Sequence, residues 1–75
     1  MQRYNNLSGQ SGVLAYEIGK ESITIEFVGG ERYLYTARSA GAENIAKMQE
    51  LALAGRGLST YVSQHIRTRY ARKLD

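Results

Sequence analysis

The apolar residues of this chain recur at two different periods, and the change from one to the other restricts the folds that it can adopt. Between Val13 and Thr36 they favour every second position, which is the period of a β-strand. From Ala42 onward they recur every three or four positions, which is the period of an amphipathic helix. Consecutive strands followed by helices predict an α+β fold.

Three segments alternate at the strand period, at residues 13–18, 22–28 and 31–36. The second alternates most clearly, because Ile23, Ile25 and Phe27 share one face. Gly29 and Gly30 follow it as the turn of a hairpin, since both central positions of a two-residue type I′ turn need a positive φ. Such short turns join antiparallel neighbours, so we expect a three-stranded antiparallel β-meander.

Two packed helices are predicted after the meander. The first runs from Ala42 to Ala54, with an apolar stripe on one side and Gly55 as the residue that ends it. The second opens near Gly57 with Ser59 as its N-cap, and its apolar stripe consists of Leu58, Val62 and Ile66. We expect a single domain over residues 13–75, preceded by a flexible Gly/Ser-rich segment over residues 1–12.

Composition limits the chemistry that the chain can carry out. Its 75 residues include no Cys and one His, which leaves no thiolate ligand and makes a metal site unconvincing. His65 is open to two interpretations, a partly buried structural side chain or a catalytic or ligand residue. Asp75 is the only Asp and lies at the terminus, so a Ser-His-Asp triad is not expected. We therefore expect a protein that is not an enzyme and that uses no cofactor or metal.

No segment of the sequence has the character of a membrane span. The longest apolar runs have about four residues, far fewer than the ~20 that a span needs. No signal peptide is visible, because residues 1–6 lead into no apolar stretch. We expect a soluble, cytoplasmic protein without a membrane partner.

Positive charge is concentrated in the last quarter of the chain. The net charge is +3 at pH 7. Residues 1–55 carry five basic and six acidic side chains, whereas residues 56–75 carry five basic and one acidic. This asymmetry indicates an anionic partner, most often nucleic acid, and the alternative is a basic end that is merely solvated. The residues expected to contact phosphate are Arg56, Arg67, Arg69, Arg72 and Lys73.

Two tyrosines of the third strand are candidates for stacking on nucleobases. With a strict two-residue turn at Gly29 and Gly30, Tyr33 and Tyr35 lie on the face away from the Ile/Phe side of the second strand. There they offer a platform for the bases of RNA or a single strand. A loop one residue longer turns both side chains inward, where they pack in the core. Both arrangements are open at this point.

The segment Gly55-Arg56-Gly57 also allows two interpretations. It lacks the third Gly of a dinucleotide motif and the Lys of a P-loop. The N–H groups at the start of the second helix, together with Arg56, would suit one phosphate. The alternative is a plain turn between two helices, made of a C-cap and an N-cap.

Taken in order, these motifs resemble the KTSC domain family. The features that carry the resemblance are residues 11–16, the pattern Phe27-x-x-Gly30-x-x-Tyr33-x-Tyr35 and the stretch from Gly57 to Tyr70. They extend over most of the chain, from about Ser11 to Arg72. The family consists of small bacterial domains that occur alone or at the C-terminus of some lysyl-tRNA synthetases. The resemblance implies a role in nucleic-acid binding.

The leading hypothesis is a small non-catalytic nucleic-acid-binding module for RNA or single strands. It would use the basic C-terminal region to contact phosphates and, more weakly, Tyr33 and Tyr35 to contact bases. The alternative is a protein-interaction module or a small homodimer that uses an exposed sheet edge or the helix pair.

Overall fold

The computed structural model describes residues 1–7, 9, 12–66 and 68–74, and these residues form one antiparallel sheet with helices on one of its faces. Its five strands within this part of the chain lie side by side in sequence order. They are β1 (Gln2–Arg3), β2 (Val13–Gly19), β3 (Ser22–Phe27), β4 (Arg32–Thr36) and β5 (Arg72–Lys73). The α+β class with an antiparallel sheet is confirmed. The predicted meander corresponds to β2, β3 and β4, and the two short edge strands are additional.

The helical layer begins directly after β4. It consists of α1 (Ala37–Ala40), α2 (Ala42–Ala54), α3 (Leu58–Tyr61) and a π-helical segment over Val62–Ile66 that continues α3. The predicted bounds of the first helix are those of α2. The sequence did not predict α1, which begins with a capping box between Thr36 and Ser39. No helix in the described part of the chain is long and apolar enough to cross a membrane.

The hairpin between β3 and β4 has a three-residue loop, and the predicted two-residue turn is wrong. The Phe27 N–H donates to the Glu31 carbonyl at 2.8 Å, so Val28 belongs to the loop together with the two glycines. The Gly30 N–H closes the loop by donating to the Phe27 carbonyl at 3.0 Å. Gly30 has a φ of +95°, which confirms the predicted positive value.

The longer loop decides which way the side chains of β4 point. Tyr33 pairs with Ile25 and Tyr35 with Ile23, so the tyrosines share the face of the isoleucines. Tyr35 is only 1 % exposed, and of the two arrangements the structure contains the inward one. This register is favoured because both aromatic side chains then pack against the core, whereas the other register would leave them in water.

The first residues of the chain join the edge of the sheet to the helical layer. Tyr4, just after β1, is 3 % exposed, and its hydroxyl accepts the Leu58 N–H at 3.3 Å. The Leu7 N–H donates to the Gly55 carbonyl at 2.7 Å. We call residues 4–7 the N-terminal strap. The Gly/Ser-rich sequence predicts a flexible segment here, and one buried tyrosine after a two-residue strand is too short a pattern to recognise in a sequence.

The Gly55-Arg56-Gly57 segment is a turn between two helices, which is one of the two interpretations that the sequence allows. Gly55 is the C-cap of α2, with its N–H directed at the carbonyls of Leu51 and Ala52. Gly57 is the N-cap of α3, so the predicted N-cap at Ser59 is wrong. The Tyr4 hydroxyl accepts the first N–H of α3 and thereby takes the place of an N-cap side chain.

One hydrophobic core lies between the sheet and the helices. The helical layer contributes buried side chains at helical spacing: Ile45, Met48, Ala52, Leu58, Val62 and Ile66. Gln49 also ties α2 to the sheet, because its Nε2 donates to the carbonyls of Gly19 and Ser22 at 3.1 and 2.9 Å. The other face of the sheet lacks a helical cover among the described residues, and its side chains are half-buried or exposed. We call it the open face.

The strap can be tested with the two glycines of one turn. Gly55 and Gly57 have φ values of +78° and +81°, so Ala at either position costs about 1–2 kcal/mol of backbone strain. A Cβ at Gly55 would also lie 2.7 Å from the Asn5 Cβ, whereas at Gly57 the nearest atom is Leu51 Cδ2 at 3.5 Å. We expect Gly55→Ala to lower the free energy of unfolding by roughly 1 kcal/mol more than Gly57→Ala, as measured by urea denaturation. Equal losses would show that the strap does not press on this turn.

Candidate nucleic-acid interface

Three strands each place one arginine on the open face. Arg3 lies on β1, Arg32 on β4 and Arg72 on β5, at positions that alternate with inward side chains, and all three are exposed. Arg72 lies opposite Leu34, two residues beyond Arg32, which makes the two arginines diagonal neighbours. The Cα atoms of such a pair are about 7–8 Å apart. Arg3 belongs to the same cross-strand row as Arg32 but lies three strands away.

These open-face arginines have no carboxylate partner within 4.0 Å among the described residues. The ion pairs in that part of the chain join Lys47 to Glu50 at 3.4 Å and Lys73 to Glu31 at 3.3 Å. A guanidinium without a carboxylate partner can direct two parallel N–H groups at one phosphate. The open face therefore carries three separate guanidinium groups, each of which could hydrogen-bond an oxyanion.

The structure brings together only part of the predicted phosphate-binding set. Arg72 and Lys73 form β5, and Arg69 is exposed in the segment just before it. Arg56 is also exposed, but it lies in the turn between α2 and α3, next to the N-terminal strap, and not in the segment that contains Arg69 and β5. Arg67 lies outside the described residues. Among the described residues, Arg69, Arg72 and Lys73 thus belong to one segment, and Arg56 lies in a different turn.

Sequence reasoning missed Arg3 and Arg32. The position of Arg32 follows from the hairpin register, because it alternates with Tyr33 and Tyr35 and faces outward once they face inward. The position of Arg3 could not be found, since a two-residue strand has no detectable alternation. The arginines of the sheet are therefore a property of the fold that charge counting along the chain does not reveal.

Tyr33 and Tyr35 belong to an aromatic cluster on the inner side of the sheet, so they offer no platform on the open face. Tyr33 is half-buried, with its ring centroid 4.7 Å from that of Tyr70 and 5.9 Å from that of Phe27. Tyr70 also meets the Tyr35 ring edge to face at 6.3 Å. The Nζ of Lys73 lies 5.9 Å from the Tyr33 ring centroid. The cluster links β4 to the segment that leads into β5.

The position of Tyr35 in this cluster changes its acidity. Burial raises the pKa of Tyr35 from its ordinary value of 10.0 to about 12, because the charged phenolate is removed from water. Repulsion between its phenolate and those of Tyr33 and Tyr70 accounts for a smaller part of the same rise in pKa. Tyr35 therefore stays neutral throughout the physiological pH range.

His65 is exposed in the π-helical segment, and its ring centroid lies 4.5 Å from that of Tyr61. The Tyr61 hydroxyl donates to Asn44 Oδ1 of α2. No group of three His, Cys, Asp or Glu side chains that could hold a metal ion occurs among the described residues. The partly buried position predicted for His65 is wrong, because the side chain is exposed and packs only against the ring of Tyr61 among the described aromatic contacts.

The buried phenol predicts a loss of stability in alkali. The unfolded chain ionises Tyr35 near pH 10 and the folded chain near pH 12, so between these values the unfolded state binds fewer protons and the free energy of unfolding falls as pH rises. Between about pH 8 and about pH 11, the natural protein should lose about 1 kcal/mol more stability than Tyr35→Phe, measured by urea denaturation at each pH. Between about pH 6 and about pH 8 the two proteins should change alike, which serves as the control. Parallel curves up to about pH 11 would contradict the raised pKa.

Comparison of the chain with protein-family models, with curated proteins and with solved structures finds no match in any of the three. The resemblance to the KTSC domain family, and the nucleic-acid role that it implies, stay predictions. Among the described side chains, the open-face arginines are the feature that most indicates a function.

Proposed function

We propose that this protein is a small, non-catalytic, cytoplasmic module that binds RNA or single-stranded nucleic acid through its phosphates. The observation that carries the proposal is the set of three exposed arginines on the open face, from three strands, without carboxylate partners in the described part of the chain. The basic character of residues 56–75 supports it. The resemblance to the KTSC domain family supports it as well.

A polyanion suits this arrangement because the arginines are spread over the sheet. Arg32 and Arg72 are close enough to contact neighbouring phosphates of one strand. Arg3 lies three strands from Arg32, or roughly 14 Å at the usual spacing of about 4.8 Å between strands. A single small anion would contact one or two of these side chains. A chain of phosphates can contact all three.

Two carboxylates moderate the affinity of this surface. Glu17 and Glu26 also lie on the open face, so its positive charge exceeds its negative charge only slightly. Between the charged residues lie Ala15, Thr24 and Leu34, which offer no aromatic face to a base. We expect dissociation constants of about 10⁻⁴ to 10⁻⁶ M at physiological salt, the range of binders that contact phosphate without selecting sequence.

A flexible strand fits this structure better than the major groove of a DNA duplex does. Groove-binding motifs insert a helix with exposed basic residues. In α2, Lys47 is accompanied by Glu43 and Glu50, and the described helical structure after it ends at Ile66, before Arg69. A sheet face that contacts the phosphates of RNA or a single strand does not need such a helix.

A second candidate is a protein-interaction module or a small homodimer. One observation favours it, because the exposed apolar side chains of Met1, Ile18 and Leu53 border a shallow groove of about 460 Å³ beside β2. In the described structure β1 pairs with β2 at Ala15 and Tyr16, and the Tyr4 N–H donates to the Leu14 carbonyl at 3.0 Å, so residues 17–19 are the part of that edge without a paired strand among the described residues. An apolar contact there would depend little on salt, whereas phosphate binding weakens steeply as salt rises.

The proposal is tested by titrating the protein into a labelled single-stranded RNA and following fluorescence anisotropy. If three phosphates are contacted, one by each open-face arginine, the affinity should fall about 20-fold between about 50 and about 200 mM salt. The double variant Arg32→Ala/Arg72→Ala should weaken binding to unrelated sequences alike. It should also flatten the slope of log K against log salt by about 1.4, because each lost phosphate contact removes ~0.7.

The matched control removes two positive charges from the helical layer, as Arg38→Ala/Lys47→Ala, where both side chains are exposed. It changes the net charge by the same amount and should leave the salt slope unchanged. Equal losses in the two double variants would contradict an open-face site. A dimer in sedimentation analysis, with no RNA binding at low salt, would favour the second candidate.

A further inference from the structure

An open groove lies on the inner side of the sheet, where the β3–β4 hairpin meets the segment that leads to β5. It has a volume of about 550 Å³. Four of its lining residues are aromatic: Phe27, Tyr33, Tyr35 and Tyr70. Gly12, the hairpin loop, the π-helical segment and Thr68 complete its walls. We call it the aromatic groove.

One ring in this groove is both exposed and firmly supported. Tyr70 is 38 % exposed, with its ring tilted by 47° against Tyr33 at a centroid distance of 4.7 Å. Tyr35 supports the same ring edge to face, and Phe27 supports Tyr33 in the same way. Tyr70 is thus a partly accessible ring held in place by its aromatic neighbours, and planar bases stack on aromatic side chains.

Polar groups stand around this surface. Ser63 and Thr68 bring hydroxyls and Glu31 brings a carboxylate, and all three residues are exposed. The Glu31 Oε2 lies 3.3 Å from the Lys73 Nζ. Hydroxyls can donate or accept hydrogen bonds, and carboxylates accept them from exocyclic amino groups of bases. The groove therefore suits a flat ring with a polar edge.

The strand β5 connects the groove to the open face. Arg72 and Lys73 are consecutive strand residues, so they point to opposite sides of the sheet, Arg72 to the open face and Lys73 to the groove side over Tyr33. Because β5 is an edge of the described sheet, a single-stranded nucleic acid can pass around it. Neighbouring phosphates of that strand would then contact the two cations.

From this juxtaposition we infer that the aromatic groove receives one unstacked nucleobase of the single strand whose phosphates the open face binds, an inference that rests on the proposed function. The base stacks on Tyr70, and its polar edge meets Glu31 or the hydroxyls of Ser63 and Thr68. The groove volume is typical of small-molecule sites and has room for one nucleotide but not for a duplex.

Charge favours a nucleobase over a proline-rich peptide, the other common ligand of aromatic grooves. Arg69 and Lys73 lie in or beside the segment that borders the groove, and Glu31 is the one carboxylate among the described residues that line it. This surplus of positive charge matches the phosphate that accompanies every base of a strand. A proline-rich segment brings no such charge.

The test compares two labelled single strands of about ten nucleotides that have the same phosphates, one with bases and one abasic, in anisotropy titrations at about 50 mM salt. We expect the base-bearing strand to bind about ten-fold more tightly, as one base–aromatic stack would provide. Tyr70→Leu should abolish this preference, and Tyr70→Phe, which keeps the ring, should retain it. Circular dichroism melting of both variants shows whether they fold.

Equal affinity for the two strands would overturn the inference and leave the proposed function in place, whereas binding of neither would overturn both. A Tyr70→Leu variant that weakens both strands by the same factor would also overturn it, since Tyr70 would then position phosphate contacts only. If Tyr70→Leu does not fold, the inference is decided by the affinities of the natural protein for the base-bearing and the abasic nucleic-acid strands. Binding of a proline-rich peptide in the groove, with no preference for bases, would assign the groove to a peptide instead.

Discussion

The packing of Tyr33 and Tyr35 against the isoleucines of β3 determines the two faces of the sheet. Because side chains alternate along a strand, two inward tyrosines oblige Arg32 to point outward. A slip of one residue would exchange these sides and bury a guanidinium against the helices, where it would have to give up its hydration. The same packing provides the ring on which Tyr70 rests, and so directs the chain toward the edge where β5 pairs with β4. One register thus determines both the open face and the aromatic groove.

The two ends of the described chain form the two edges of the sheet, and neither edge strand could exist alone. A two-residue strand has almost no stability of its own, so tertiary contacts must hold it. At one edge the buried Tyr4 accepts a hydrogen bond from Leu58 and anchors β1 to the helices. At the other edge Lys73 contacts Glu31 and the ring of Tyr33, which anchors β5 to the hairpin. The side chains at these edges therefore stabilise the fold and also belong to the surface that the edges present.

Periodicity in the sequence was sufficient for the elements that are long enough to repeat, namely β2, β3, β4 and α2. It could not decide the hairpin loop, because Gly29 and Gly30 are compatible with either length and one residue reverses the faces. It also could not reveal β1 or β5, which are too short to alternate. The charge asymmetry pointed to Arg72 and Lys73, but Arg32 becomes part of the site only through the register. Arg72 and Lys73 were thus predictable from the distribution of charge along the chain, whereas the position of Arg32 depends on the pairing between strands.

The short, cationic edge strands also affect how this sheet can meet another. An exposed edge is a template for strand addition, and proteins block it with short strands and charged side chains. A neighbouring sheet that approached β5 would find two residues to pair with, Arg72 and Lys73, and in a second copy of this chain it would meet the same positive charge. The cations that would attract a phosphate chain therefore also discourage copies of the sheet from joining edge to edge into polymers.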